Sequence, residues 1–353
     1  MRNSGSGGCA CKRKRAHVRS LRRASDREAG ITRRRAGRGF VYLDATGARI
    51  RDEADLARIR ALAIPPAYSD VWICADRRGH LQATGRDARG RKQYRYHVAW
   101  QHRREAKKYR RLLRFAQRLP VLRARLHRDC RLEGLPRDKV LAIMTEVMMA
   151  TSIRVGNAEY ARTNHSYGLT TLRSRHVTFG RDGTALFHFP GKSGQTRESV
   201  LADRRLARLV RRCSRLPGPA LFQYEDDGEH RRATASQLND YLHDTLGERF
   251  SAKDFRTWAG TLTVIAGLAR TPLPARGGMR ARRAAIRHAI DLAAEQLGNT
   301  PAVARKAYVC PQVIDAWVIG DLHRLVPDAD AAYPRRLEKK AIQLLRHCLD
   351  GAA

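Results

Sequence analysis

The residues with the clearest chemical potential close the stretch Leu297-Gly-Asn-Thr-Pro-Ala-Val-Ala-Arg-Lys-Ala-Tyr308. Tyr308 follows Arg305 and Lys306, whose charges favour a phosphate nearby, so its phenol could attack a phosphodiester. The competing reading is an amphipathic helix whose tyrosine packs in a core, and only partners elsewhere in the chain decide between the two. Lys192, in Pro190-Gly-Lys-Ser-Gly194, is one candidate partner: on a hairpin tip it is either solvated or placed to reach a bound duplex as a proton donor. Arg256, in Lys253-Asp-Phe-Arg-Thr-Trp-Ala-Gly-Thr261, falls near the start of an apolar helix, where the dipole favours an anion. Arg154, in the polar run Ser152-Ile-Arg-Val-Gly-Asn-Ala-Glu-Tyr160, and Asn299 complete the set.

Two other chemistries fail on spacing. Gly191-Lys-Ser invites a phosphate-loop reading, but the position that must be a second glycine is Leu186, so nucleotide binding is rejected. Glu225-Asp-Asp-Gly-Glu-His230 offers metal ligands, yet adjacent polar residues on an expected loop are more simply solvated.

The elements that must hold the candidates read as follows. Gly298 ends one helix, from Ala284 to Leu297, while Thr300 caps the next and Pro301 takes its first position. Ser251 can cap the helix that carries Arg256 and runs to Leu268. A hairpin, Thr184 to Phe189 and Arg197 to Leu201, carries Lys192. Helices are expected over Glu105–Leu119, Leu122–His127, Asp138–Thr151, Asp203–Cys213, Thr234–Leu246 and Pro334–Leu349, with Met144 and Met148 as core filler. Arg270 to Arg283 reads as an arginine-rich loop.

The N-terminal part is different in texture. Two hairpins, Phe40 to Ile50 about the Ala45-Thr-Gly47 turn and Val71 to Thr84, flank a short helix from Glu53 to Leu62. Then comes Gly90-Arg-Lys-Gln-Tyr-Arg-Tyr96, where Gln93, Tyr94 and Tyr96 interleave with basic residues. This suits either a surface that grips phosphates and touches bases or an exposed edge strand protected by charge. Before it, Lys12-Arg-Lys-Arg15 and several further arginines lie among Gly and Ser without apolar periodicity, as in a disordered basic arm.

Composition narrows the partner. Seventy Lys and Arg against thirty-four Asp and Glu give a formal charge of +36 over 353 residues, which predicts a polyanion, nucleic acid before a membrane surface. No apolar run approaches the ~20 residues of a spanning helix, and no signal-peptide core follows the start. Seven cysteines (Cys9, Cys11, Cys74, Cys130, Cys213, Cys310, Cys348), without CxxC pairs, read as reduced cytosolic thiols.

Taken together and in order, Ser-Ile-Arg154-Val-Gly-Asn, Gly-Lys192-Ser-Gly, Lys-Asp-Phe-Arg256-Thr-Trp-Ala-Gly-Thr and Asn299-Thr-Pro through Lys-Ala-Tyr308 resemble the active site of the type IB DNA topoisomerases, in their compact poxviral and bacterial branch. The segment around Gln93, Tyr94 and Tyr96 resembles that family's DNA-contacting motif, and the likeness runs from about Gly30 to the C-terminus. It implies an α+β protein: a disordered basic arm over residues 1–29, a small β-rich N-terminal DNA-clamp domain over 30–104, and a larger, mainly helical catalytic domain with a β-hairpin over 105–353. It also implies that Tyr308 forms a 3′-phosphotyrosine, that Arg154, Arg256 and Asn299 hold the non-bridging oxygens, and that Lys192 protonates the leaving 5′ oxygen. Supercoils would then relax without ATP, cofactor or obligatory metal. The partner is double-stranded DNA, gripped by a monomer that closes as a clamp, with Tyr160 as a further contact. A cytoplasmic, nucleoid-associated bacterial protein is the expected setting. One departure stands out: many members have a histidine where Asn299 stands, so proton transfer is lost at that position while hydrogen-bond donation survives.

Two rivals remain at this level. A tyrosine recombinase shares the nucleophile but typically has a histidine where this chain has Lys253. A non-catalytic DNA-packaging protein explains the charge but not the ordered set of five residues.

Overall fold

The computed structural model describes residues 20–248, 250–274, 278–327 and 334–350. The chain divides into two compact units, Met1–Lys107 and Lys108–Ala353. Small antiparallel sheets and a majority of helices make the protein α+β.

The first unit is a five-stranded antiparallel sheet in the order β2-β1-β3-β4-β5, with β1 Ile31–Ala36, β2 Gly39–Leu43, β3 Ser69–Ile73, β4 Leu81–Arg86 and β5 Lys92–Tyr96. Helix α1, Glu53–Ala61, lies between β2 and β3, capped by Asp52 and stopped before Pro65-Pro66. A compact apolar cluster of Ile31, Ile59, Val71, Ile73 and Ala83 joins helix to sheet.

The expected pairing of Phe40 to Leu43 with Ala48 to Ile50 is reduced to one bridge, Leu43 to Arg49. The main partner of β2 is β1, whose arginines hide its strand character in the sequence. Arg33 lies over the Phe40 ring at 4.1 Å and donates to the Pro65 and Tyr68 carbonyls, so charge here does structural work. The leader with Cys9, Cys11 and Lys12 to Arg15 lies outside the described residues. From residue 20, however, the presumed arm is seated on the sheet: Arg22 donates its N–H to the Arg78 carbonyl, Ala24 donates to His80 Nδ1 and is buried, and Asp26 accepts from Thr84.

Helix α2 is one element, Val98–Asp129, where two shorter helices were expected from Glu105. Pro120 removes a hydrogen bond from its interior, but the apolar stripe Tyr109, Leu112, Phe115, Leu119, Leu122 and Leu126 runs through it at helical spacing, and packing overrides the local break. Then follow α3 Arg137–Thr151, α4 Ala158–Thr163, a three-stranded sheet of β6 Val177–Phe179, β7 Ala185–Pro190 and β8 Thr196–Leu201, and α5 Arg204–Cys213. The expected acidic loop is a hairpin, β9 Gln223–Asp226 with β10 Glu229–Arg232. Glu225 accepts from the Leu135 N–H and Asp226 pairs with Arg231. Among the described residues no group of three or more His, Cys, Asp or Glu is arranged to hold a metal.

The remaining helices are α6 Ala235–Leu246, α7 Ala252–Ala269, α8 Met279–Leu297, α9 Pro301–Tyr308, α10 Pro311–Val318, α11 Asp321–Leu325 and a last helix, Pro334–Asp350. Helix α8 begins five residues before the expected Ala284, so part of the arginine-rich stretch is helical. A single large core unites the second unit, with Met144, Met148, Phe115, Phe187 and Trp317 inside it. No helix among the described residues is long and apolar enough to cross a membrane.

Candidate active site

The site is built around the turn between α8 and α9. Gly298 adopts φ +57°, and the N–H groups of Gly298 and Asn299 return to the Glu295 (3.0 Å) and Ala294 (2.9 Å) carbonyls. This left-handed termination satisfies the end of α8 and fixes Asn299 as the first residue beyond it. Thr300 then accepts from the Val303 N–H and Pro301 starts α9, which ends on Tyr308 itself.

The end of α9 would leave bare carbonyls, and three side chains take them in succession. Lys108 Nζ donates to Ala307 O (2.7 Å), Thr261 Oγ1 to Tyr308 O (3.1 Å) and Tyr109 OH to Val309 O (2.6 Å). Thr261 also accepts from the Cys310 N–H. Immediately before Thr261 on α7, Gly260 lets the helices touch: a Cβ there would lie 3.2 Å from both Tyr308 Cβ and Tyr308 O. Tyr308 is thereby held between α2 and α7.

Arg256 rises from the first turns of α7, which Asp254 closes by accepting from the Ser251 N–H at 2.8 Å. Its guanidinium is 5% exposed, donates to the Ser152 and Leu297 carbonyls, and lies 5.1 Å from the centre of the Tyr308 ring. Burial, and then the neighbouring Arg154 charge, push its pKa down to about 10, so it stays cationic at neutral pH. Its Nε is buried without an acceptor among the described residues.

Arg154 follows Ser152, which takes a left-handed conformation (φ +55°) to leave α3. The Arg154 loop is pinned by Leu169 N–H to Arg154 O (2.7 Å) and by the close approach of two glycines, since a Cβ on Gly168 would lie 2.6 Å from Gly156 N. Arg154 Nη2 donates to Gly298 O (3.2 Å) and to Asn299 Oδ1 (2.6 Å). A guanidinium only donates, so the amide must present its oxygen here and turn its NH₂ away. That Nδ2 is buried and has no acceptor among the described residues.

Lys192 is exposed at the start of a short 3-10 turn between β7 and β8, which the Gly191 N–H closes on Gln195 O (2.8 Å). A cavity of about 20 Å³ brings Lys192 together with Arg154, Arg197 and Arg256, beside Tyr167 and Phe189, with no carboxylate in its lining. Arg197 was not singled out from the sequence. It is half-buried, and burial followed by the Arg154 charge lowers its pKa. The alternation along β8, with Arg197, Ser199 and Leu201 inward, was the available signal, but an inward arginine reads as outward by composition.

The structure thus gathers Arg154, Arg256, Asn299 and Tyr308 about one turn, with Lys192 on the shared cavity. The DNA-contact candidates lie elsewhere. Tyr160 is 60% exposed on α4 and outside the cavity lining. Gln93, Tyr94 and Tyr96 belong to the first unit on edge strand β5, where the Gln93 amide donates to Asp87 (2.9 Å).

Comparisons with known proteins agree across both units. Residues 97–315 match the family described as eukaryotic DNA topoisomerase I, catalytic core, and residues 39–87 match bacterial DNA topoisomerase IB, N-terminal domain. DNA topoisomerase 1B of Acanthamoeba polyphaga mimivirus is 32% identical over 298 residues, covering 82% of this chain and 87% of that protein. DNA topoisomerase 1B of Vaccinia virus (strain Copenhagen) and DNA topoisomerase I of Monkeypox virus are each 24% identical over 263 residues, covering 70% of this chain and 75% of theirs.

Proposed function

The chain belongs to the type IB DNA topoisomerases, an enzyme family of isomerases that act on DNA, and from that premise we propose that it relaxes supercoiled duplex DNA by transient cleavage of one strand through Tyr308. The Tyr308 phenol gives up its proton to solvent as its oxygen attacks a backbone phosphorus, the Tyr–O–P bond forms, and the bond from phosphorus to the 5′ oxygen breaks. Lys192 gives its proton to the departing oxygen, leaving a 3′-phosphotyrosine and a 5′-hydroxyl. Arg154 and Arg256 hold the non-bridging oxygens while charge builds on them, and Asn299 adds a neutral hydrogen bond from Nδ2. The strand swivels, and the 5′-hydroxyl attacks the phosphotyrosine to restore the backbone. Bond energy is kept in the covalent link, so no ATP is consumed.

The observation that carries this reading is the pair of buried donors, Arg256 Nε and Asn299 Nδ2, left without acceptors among the described residues around the turn that leads to Tyr308. Buried donors are rarely left unpaired, and phosphate oxygens supply the acceptors they lack. Asn299 performs the binding share of the work that a histidine does in many relatives, without proton transfer. We further propose that a monomer closes on DNA as a clamp, with Tyr94, Tyr96 and Gln93 contacting the duplex from the N-terminal unit and Tyr160 from the catalytic unit.

The test is relaxation of negatively and positively supercoiled plasmid in EDTA without ATP, for the wild type and Tyr308→Phe. Relaxation of both signs by the wild type alone, with DNA binding kept in the variant, is the expected result. Binding without relaxation by either protein would overturn the proposal.

A further inference from the structure

Arg197 has an unusual set of partners for a half-buried cation. Among the described residues its hydrogen bonds go to carbonyls and not to a carboxylate: its Nη1 donates to Glu295 O (3.1 Å) and its Nη2 to Gln296 O and to Thr151 O (3.4 Å). Glu295 and Gln296 lie in the last turn of α8, and Thr151 is the last residue of α3. One guanidinium therefore sits at the C-terminal ends of two helices, where unpaired carbonyls and the negative ends of the dipoles stabilise a cation. Each helix end leads directly into a site residue, α3 into Arg154 and α8 into Asn299. Arg197 itself stands opposite Phe189, one pair from the turn end of the hairpin that presents Lys192. Space is matched to it as well, since a Cβ on Gly298 would lie 2.6 Å from Arg197 Nη1.

We propose that Arg197 is a positioning residue for strand cleavage: it ties the turn end of the Lys192 hairpin to the turn that carries Asn299, so that the lysine's proton meets the departing 5′ oxygen. The inference rests on Lys192 being that proton donor. Lys192 is exposed, and the 3-10 turn around it is closed only on its own backbone, by the Gly191 N–H to Gln195 O and the Gly194 N–H to Gly191 O, so the placement of its ammonium depends on how the strand ends beside the turn are anchored. Arginine suits the task because its planar fork spans carbonyls on both helices at once, whereas lysine at this position would keep the charge but lose the span.

The experiment compares two leaving groups. Cleavage sites are first mapped from covalent complexes on plasmid DNA, and a duplex with one such site is made with either a 5′ oxygen or a 5′ sulfur at the scissile bond. A thiolate leaves without a proton because thiols are far more acidic than alcohols, with a pKa near 8.5 for a thiol against 15.7 for water. Single-turnover cleavage is measured for Arg197→Ala, Arg197→Lys and Lys192→Ala. Each Arg197 variant should slow cleavage of the oxygen substrate by roughly 10- to 100-fold, as misplacement of a catalytic group does, and most of that loss should vanish on the sulfur substrate.

Equal losses on both substrates, or no loss on the oxygen substrate, would overturn the role of Arg197. Lys192→Ala separates this from the underlying reading: if sulfur fails to rescue Lys192→Ala, Lys192 is not the donor, whatever Arg197 does. Should Arg197→Ala lose its cooperative unfolding transition, Arg197→Lys carries the same comparison with the charge retained.

Discussion

Cationic side chains meet tyrosines in both units of this protein, on opposite terms. On the N-terminal sheet Tyr94 is 48% exposed and stacks on Tyr96 at 6.1 Å, with Lys92 5.9 Å from the first ring and Arg104 5.7 Å from the second. In the catalytic unit Arg256 is 5% exposed and lies 5.1 Å from the Tyr308 ring. Distances hardly differ, but solvent does. In water each contact is screened and replaceable, which suits the DNA-contacting role proposed for this surface. Buried, the same pairing is oriented by backbone carbonyls before substrate arrives, and its donors have no water to fall back on. Few buried groups should therefore carry large effects and many exposed groups small ones.

The strongest way to break that comparison is Arg256→Ala. Single-turnover cleavage should fall by ~3 to 4 kcal/mol of transition-state stabilisation, on the order of a thousandfold, with DNA affinity changed far less. A loss of only severalfold would mean that burial confers no advantage here.

The buried side also predicts acid sensitivity. His176, packed against Tyr167 behind the cavity, accepts from the Arg173 N–H through Nδ1, and burial lowers its pKa to about 4. Unfolded, it titrates near 6.5, so its contribution is complete above that pH and is lost as pH falls from there towards 4. The loss should reach up to about 3 kcal/mol. Urea unfolding at pH 7 and pH 4.5 measures it, and His176→Gln should flatten the difference.

Asn299→Ala comes next, with a cleavage rate about tenfold lower, the worth of one neutral hydrogen bond. The smallest expected effect is at the sheet. Tyr94→Ala should weaken DNA binding by about 1 kcal/mol, alike for unrelated sequences, while leaving the steep fall of affinity with salt in place.

Much of the site could be read from the sequence because its signals are local. Gly298, Thr300 and Pro301 announce one helix ending and another beginning, and that turn is where Asn299 and the approach to Tyr308 are set. Lys192 was legible as a hairpin tip between alternating strands, and Ser251 as the start of α7. What stayed hidden depends on tertiary contact. Arg33 and Arg197 look like surface arginines, yet both are held by carbonyls distant in sequence. Strand β1 was concealed for the same reason. Pro120 suggested a break that the buried stripe of α2 overrides, and nothing near Lys108 or Thr261 in the sequence points to the end of α9.

Those last two residues bear on what happens after cleavage. On the proposed mechanism, a strand rotating while linked to Tyr308 would turn hydrodynamic drag on the DNA into a pull on one side chain at the end of an eight-residue helix. Lys108, Thr261 and Tyr109 grip three consecutive carbonyls at that point and spread the load into two longer helices, α2 and α7. Such an attachment would serve as a mechanical anchorage, letting a strand held as proposed spin without drawing Tyr308 away from the groups around it.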